Sequence, residues 1–486
     1  MRVGRLLVLA GLAMLIAASV SYAHVHAPSG IGGDKYRNTT SQHATNVEPD
    51  SFAWGNTIVS AYQVGRFTNG GGSNVGFATS TDGGQTWIKG GLPGTTVYAT
   101  PPGQWARVSD PVVAYDPEHN IWMIGTLGID ATATGLAVLT SRSTDGGLTW
   151  GNPVTTSLST GTFYDKNWLV CDTWASSPHY GNCYAEWDDN GLGNQMLMST
   201  STDGGLTWGP KIHPPGVPSG LGGQPVVQPN GTVVVPYTSN YSGIFSFRSL
   251  DGGLTWTGPS TVASQSFAPV DGSLRDPPLP SAEVDSAGRV FVAWHDCQFR
   301  TGCARNDIVY SSSINGTTWT AKTRVPIDPT TSTVDHFLPG LGIDPVGPPG
   351  RIGLVYYYYP VDPCGASCQL TVGFISSGDS GATWHAPQTL GPSMNPTWAP
   401  NTTQGRMVGD YFSTSFVNHE AHPVFVIGRA PPAPPSPAFE TLLWEAGITV
   451  PLGAGPLRTK HERVWTVYRP KWLVRELAAA PPPRAN

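Results

Sequence analysis

Ser80-Thr81-Asp82-Gly83-Gly84-Gln85-Thr86-Trp87 is the stretch from which the rest of the chain can be read. It returns almost letter for letter at Ser143 to Trp150, Ser201 to Trp208 and Ser249 to Trp256. Looser copies run from Ser313 to Trp319, one residue short, and from Ser377 to Trp384. The closing tryptophans are 63, 58, 48, 63 and 65 residues apart, a spacing that marks a repeat architecture. Each residue type has a physical reason to be there. The aspartate tolerates unusual backbone angles and accepts hydrogen bonds from amides two residues on. The glycines supply the positive φ of a tight turn, and the tryptophan buries a large apolar ring beneath it.

A second repeated element precedes each octapeptide. Pro111 to Asp116, Asn167 to Asp172, Pro225 to Val227, Pro280 to Asp285 and Pro339 to Asp344 open strand-like runs. A second strand follows at Ile121 to Gly125, Cys183 to Trp187, Val233 to Tyr237, Val290 to Trp294 and Ile352 to Tyr358. Short strands at regular spacing, with Gly, Pro and Asp turns between them, predict antiparallel β structure throughout. Four-stranded units arranged radially make a β-propeller. Further openers near Glu48-Pro49 and Gly409 to Ser413 bring the units to seven, one more than the octapeptides.

The octapeptide resembles the Asp box of the sialidase (BNR-repeat) superfamily, Ser/Thr-x-Asp-x-Gly-x-Thr-Trp. The resemblance spans roughly residues 45 to 430 and implies that the box joins the third and fourth strands of each blade, on the rim. Sialidases proper have six blades; the openers favour seven, with six as the alternative. The fold expected is therefore all-β, an Asp-box propeller over residues 45–450, flanked by an N-terminal extension, 24–44, and a C-terminal extension, 451–486, that ends Pro-rich.

Composition narrows the function classes. Charged residues are 12%, about half the usual share, with 59 Gly, 45 Pro and a net charge of −6. No basic face is in prospect, so nucleic acid is not an expected partner. Arg2 and Arg5, the apolar run Leu6 to Val20 and Ser21-Tyr22-Ala23 read as a signal peptide over residues 1–23, cleaved near Ala23. The mature chain is expected outside the cell or in the periplasm, without a membrane span and as a monomer. Its six cysteines fall into three local couples, Cys171 with Cys183, Cys297 with Cys303 and Cys364 with Cys368, which an oxidising compartment favours as disulfides. No metal-ligand pattern is present, so no cofactor is expected, with a structural calcium as the alternative.

In a chain this poor in charge, the openers concentrate polar residues: Glu48, Gln104, Arg107, Asp110, Asp165, Lys166, Gln224, Arg275, Asp276, Asp335, His336, Arg406, Asp410 and Tyr411. Asp82, Asp145, Asp203 and Asp251 are turn formers instead. The sialidase resemblance implies an exo-glycosidase with three parts: an arginine triad on the sugar carboxylate, an aspartate acid/base, and a tyrosine nucleophile activated by a glutamate. Placed on this sequence, the clamp is Arg107, Arg275 and Arg406, whose planar forks suit a carboxylate. Asp110 is the acid/base, with Asp165 next, Tyr411 the nucleophile and Glu186 its activator. Asp165, Asp276, His336 and Asp410 join the substrate-binding set. The family's Arg-Ile-Pro motif is absent. Two functions follow: a glycosidase acting on glycans with acidic, sialic-acid-like sugars, or a non-catalytic propeller binding glycans or proteins at the same face.

Overall fold

The computed structural model describes residues 28–348, 350–431 and 439–453. The expected signal peptide and most of the C-terminal extension lie outside the described residues. What is described is all-β, with only short 3-10 turns beside the strands.

The strands group into antiparallel units. The first comprises Gln42–Trp54, Thr57–Arg66, Gly72–Ser80 and Ile88–Gly91, paired in that order. The second comprises Arg107–Asp116, Ile121–Ile129, Gly135–Ser143 and Val154–Leu158. The third holds Tyr164–Cys171, Cys183–Asp189 and Gln195–Ser201, its fourth position reduced to a bridge between Met198 and Ile212. Units four to six open with Val226–Val227, Ser281–Val284 and Asp335–Ile343 and repeat the four-strand meander. The seventh comprises Ser413–Val417, Glu420–Gly428 and Thr441–Glu445, and its outer edge is filled by Ser29–Gly30 from the other end of the chain. The first strand of every unit lies against that of the next, and the seventh lies against the first. The first strands therefore form a closed circuit around one axis.

Apolar side chains fill the spaces between successive units. Val226 and Val234 of unit four, for example, pack on Ala282, Val292 and the fully buried Trp294 of unit five. Each such side chain contributes roughly 1.5–3 kcal/mol by leaving water. Polar groups bridge the same seams. The Gln224 amide accepts from the Ala282 N–H and donates to the Ala282 carbonyl, both at 3.0 Å, standing in for a strand.

Every octapeptide links the third strand of its unit to the chain that follows. In the first, Ser80 Oγ donates to Asp82 Oδ1 at 2.7 Å and accepts from the Gly84 amide at 2.8 Å. The aspartate accepts from Thr86, four residues on rather than two, through the amide at 2.9 Å and the hydroxyl at 2.6 Å. Those threonine hydrogen bonds hold the Asp82 carboxyl down at about 2. Asn315 takes the aspartate's place in the short fifth copy, accepting from Thr318 at 2.8 Å.

The last glycine of each copy faces the preceding unit. A methyl group on Gly147 would stand 2.6 Å from Val59 Cγ2, and one on Gly316 would stand 2.6 Å from Val234 Cγ2. The repeat thus fastens units to each other as well as closing its own turn. The three disulfides, Cys171–Cys183, Cys297–Cys303 and Cys364–Cys368, are formed. Among the described residues no helix is long and apolar enough to cross a membrane.

Candidate functional site

Four of the openers coincide with bulges, three of them marked by a proline. The first strands of units one, two, three and six each break register between Val47 and Asp50, Ser109 and Val112, Asp165 and Trp168, and Phe337 and Gly340. The extra residues, Glu48, Asp110, Lys166 and Leu338, have φ of 54°, 50°, 32° and 52°. Pro49, Pro111 and Pro339 follow directly, where a residue without an N–H takes nothing from the ladder. A bulge re-aims its side chain, and left-handed backbone at non-glycine residues gathers at functional sites. Three of the four side chains so aimed are charged.

They meet in a cavity of about 410 Å3 on the axis, lined by Glu48, Arg66, Asp110, Asp165, Lys166, Arg275 and Asp410 among others. Arg275 forks onto Asp410, with Nε 2.7 Å from Oδ1 and the second arm on Oδ2. Gln63 orders the opposite wall. Its Nε2 donates to Glu48 Oε2 at 2.9 Å and to Ser109 Oγ at 2.8 Å, while its Oε1 accepts from Arg66 at 2.9 Å. Lys166 Nζ lies 3.9 Å from Asp110 Oδ1 and 3.7 Å from the centre of the Tyr411 ring, with no hydrogen-bond partner.

Burial dominates the electrostatics. It pushes the Glu48 carboxyl up to about 8, helped by the negative charges of Asp110 and Asp410. Burial with Asp110 nearby pushes Asp165 up to about 6. Burial raises Asp110 too, against the pull of Lys166. Behind the cavity, Glu186 and Asp188 are buried with no hydrogen bond on any carboxylate oxygen, and burial lifts both well above the usual range. Uncharged carboxyls are the form that such surroundings tolerate.

The residues singled out from the sequence divide between the cavity and its surroundings. Asp110, Asp165, Arg275 and Asp410 line it. Glu186 lies behind, within the field of Lys166. Asp276, next in sequence to Arg275, is half-buried, and its inaccessible Oδ2 has no partner. The Tyr411 hydroxyl donates to the Pro111 carbonyl at 2.9 Å, so its oxygen is turned to the backbone of unit two. Of the three arginines, only Arg275 enters. Arg107 lies over the Phe67 ring and bonds Asn69 and the Gly70 and Ala131 carbonyls. Arg406 bonds the Ala399 carbonyl at 3.1 Å. The cations that converge are Arg66, Lys166 and Arg275. Arg66 and Asp188 were missed because they stand near the far end of second strands, not in the openers; comparing those strand ends across units is the signal that finds them.

His336 stands elsewhere, against Tyr356 and Tyr358, with Asp307 and Asp328 each 4.0 Å away. These three form one of two groups with ligand-type atoms close together among the described residues. Arg300 and Arg324 already hold both of its carboxylates. The other group is Asp271 with the two disulfide-bonded sulfurs of Cys364 and Cys368. An open hollow of about 460 Å3 lies between units five and six, but its one acid, Asp285, is tied up by the amides of its own turn. The smaller axial cavity, where carboxyls of unlike acidity meet, is the candidate site.

No protein-family model matches the chain, and no curated protein does. Among solved structures the chain is similar to a leech intramolecular trans-sialidase complexed with 2,7-anhydro-Neu5Ac, at 13% identity over 68% of this chain and 67% of that one, TM-score 0.42. It is similar to an α-L-arabinanase of Penicillium chrysogenum complexed with arabinobiose, at 12% identity over 88% and 98%, TM-score 0.44. It is also similar to a protein of unknown function from Dyadobacter fermentans, at 14% identity over 87% and 99%, TM-score 0.45. At identities and TM-scores this low the likenesses carry no argument about substrate, and the functional reading rests on the chain's own geometry.

Proposed function

We propose that the chain is a secreted, seven-bladed, Asp-box propeller that hydrolyses glycosidic bonds in its axial cavity. One observation carries this reading: Glu48 and Asp165 face the same cavity with acidities set apart, at about 8 and about 6. At neutral pH Glu48 keeps its proton and can give it to the leaving oxygen. Asp165 is ionised and can take a proton from water or attack the anomeric carbon. Two carboxyls held in different states are what glycoside hydrolysis requires. Asp110 lines the same cavity and its charge raises both carboxyls, while the Arg275–Asp410 fork offers a fixed edge for sugar hydroxyls. An acidic, sialic-acid-like substrate is the finer form of this reading; its carboxylate would be met by Arg275 with Arg66 and Lys166 rather than by Arg107 and Arg406. Export is inferred from residues 1–23 together with the three disulfides, and the chain is read as a monomer.

The test is a panel of fluorogenic glycosides, one sialoside and several neutral sugars, run on the wild type and on Glu48→Gln and Asp165→Asn. Turnover of at least one substrate, lost in both variants, is expected. Absence of turnover on every substrate, with glycan binding retained, would leave the second reading, a glycan-binding propeller. That reading is favoured by the buried Lys166, whose Nζ has no hydrogen-bond partner and so has donors that suit a bound ligand as well as a reacting one.

A further inference from the structure

The open hollow between units five and six has a specific origin. In unit four, Ser246, three residues ahead of its octapeptide, donates to the Gly316 carbonyl of unit five at 2.9 Å. At the matching position of unit five stands Tyr310, whose hydroxyl donates to the Gly381 carbonyl of unit six at 3.1 Å. The fastening is the same, but a phenol reaches a full ring further than a hydroxymethyl. The turn of unit six is thereby propped away from unit five, and the gap of about 460 Å3 is what remains.

The lining of this gap suits a sugar. Tyr310 packs at 6.4 Å from Phe291 and 5.9 Å from Trp384, which fixes its ring as one wall. Thr320, Thr323 and Ser380 add hydroxyls. Arg289 lines the gap as well, and among the described residues its guanidinium has no hydrogen bond, ion pair or ring contact. In a chain with so few charges, an arginine that lines the same gap as a fixed aromatic ring, with all its donors unspent, is the feature that needs explaining. A planar fork of this kind recognises carboxylate and sulfate through paired, charge-assisted hydrogen bonds, and aromatic faces stack on the apolar face of sugar rings.

We propose that the gap between units five and six is a second ligand site, away from the axial cavity, that binds an anion-bearing sugar. Arg289 receives the carboxylate or sulfate and Tyr310 supports the ring. The site does not depend on whether the axial cavity is catalytic.

Calorimetric titration of the mature chain with trigalacturonate, a sulfated carrageenan tetrasaccharide and neutral galactotriose tests this. At least one of the anionic probes binds saturably, and galactotriose binds about tenfold more weakly or not at all. Arg289→Ala and Tyr310→Ser each weaken the anionic probe by about tenfold or more, with thermal unfolding of Arg289→Ala unchanged as the check on folding. Glu48→Gln leaves this binding as it was. Which anion binds separates a carboxylate site from a sulfate site. Equal affinity in wild type and Arg289→Ala, no binding of either anion, or loss of binding in Glu48→Gln instead of Arg289→Ala overturns the proposal.

Discussion

Thr79 of the first unit donates its hydroxyl to the carbonyl oxygen of Gly147 in the second, at 2.6 Å. The two belong to different copies of the repeat's surroundings, and the contact recurs in kind at Ser246 with Gly316 and at Tyr310 with Gly381. The octapeptide's outward role, a turn, and its inward role, a fastener between neighbours, both depend on a glycine that no other residue replaces cheaply.

Gly147→Ala is therefore expected to destabilise the fold through two effects. Its φ of 80° strains any side-chain-bearing residue, and the added methyl would overlap Val59. Gly146→Ala shares the first effect, with φ of 82°, but meets nothing within 4 Å. In urea unfolding, Gly146→Ala should lose about 1 kcal/mol and Gly147→Ala roughly 1–3 kcal/mol more. Equal losses would remove the inter-unit role.

Activity should follow a bell in pH. The rising limb reports ionisation of Asp165 near 6 and the falling limb deprotonation of Glu48 near 8. Glu48→Gln should abolish the alkaline limb and reduce kcat by about 10²–10⁴. An unchanged alkaline limb in that variant would assign the proton to another group.

Stability should decline as pH rises across the same range. Glu48, Asp165, Asp50 and Glu283 have folded-state acidities of about 8, 6, 7 and 8. Each is raised, so the folded chain holds protons that the unfolded chain releases from about 4 upward. Their stabilising effect is complete below about 4 and is lost as pH passes through these values. Denaturant midpoints at pH 5 should exceed those at pH 8.5, and Glu283→Gln should flatten the slope. A midpoint rising over this interval would contradict the assignment.

The Arg275–Asp410 fork predicts an asymmetry between single and double replacement. Asp410→Asn leaves a partly buried guanidinium facing a neutral partner and should cost at most about 3–5 kcal/mol, reduced by the guanidinium's partial exposure and by the remaining Asp110 and Glu48 charges. Arg275→Met with Asp410→Leu removes both charges and should recover most of that loss. Chemical denaturation of the three proteins reads the difference directly.

Much of the architecture was legible because the repeat acts as a ruler. Spacing between tryptophans divides the chain, and the prolines at 49, 111 and 339 mark the first-strand bulges that aim Glu48 and Asp110 at the axis. Side-chain direction was less legible. Arg107 sits three residues ahead of the bulge residue Asp110, and its loop neighbours Asn69 and Gly70 draw it outward. Tyr411 follows Asp410 yet points its hydroxyl at Pro111. Alternation along an irregular strand cannot be counted through a bulge, even one that a proline marks. Arg66 lines the cavity from the far end of the second strand of unit one, and Gln63 on the same strand bonds Glu48, Ser109 and Arg66.

The seam between the chain's ends carries a consequence of its own. Ser29–Gly30 pairs with Trp444 and Glu445, and Thr45 pairs with Thr441, so the last gap in the circuit is shut by segments some four hundred residues apart. A loop of that length closes against a large entropic penalty and late in folding. In a chain made from its amino terminus, the segment at Ser29–Gly30 must wait unpaired until the segment around Trp444 has been made. The molecule therefore completes its circuit only once both segments are available, and a factor that shields the unpaired segment in the meantime would raise the yield of folded protein.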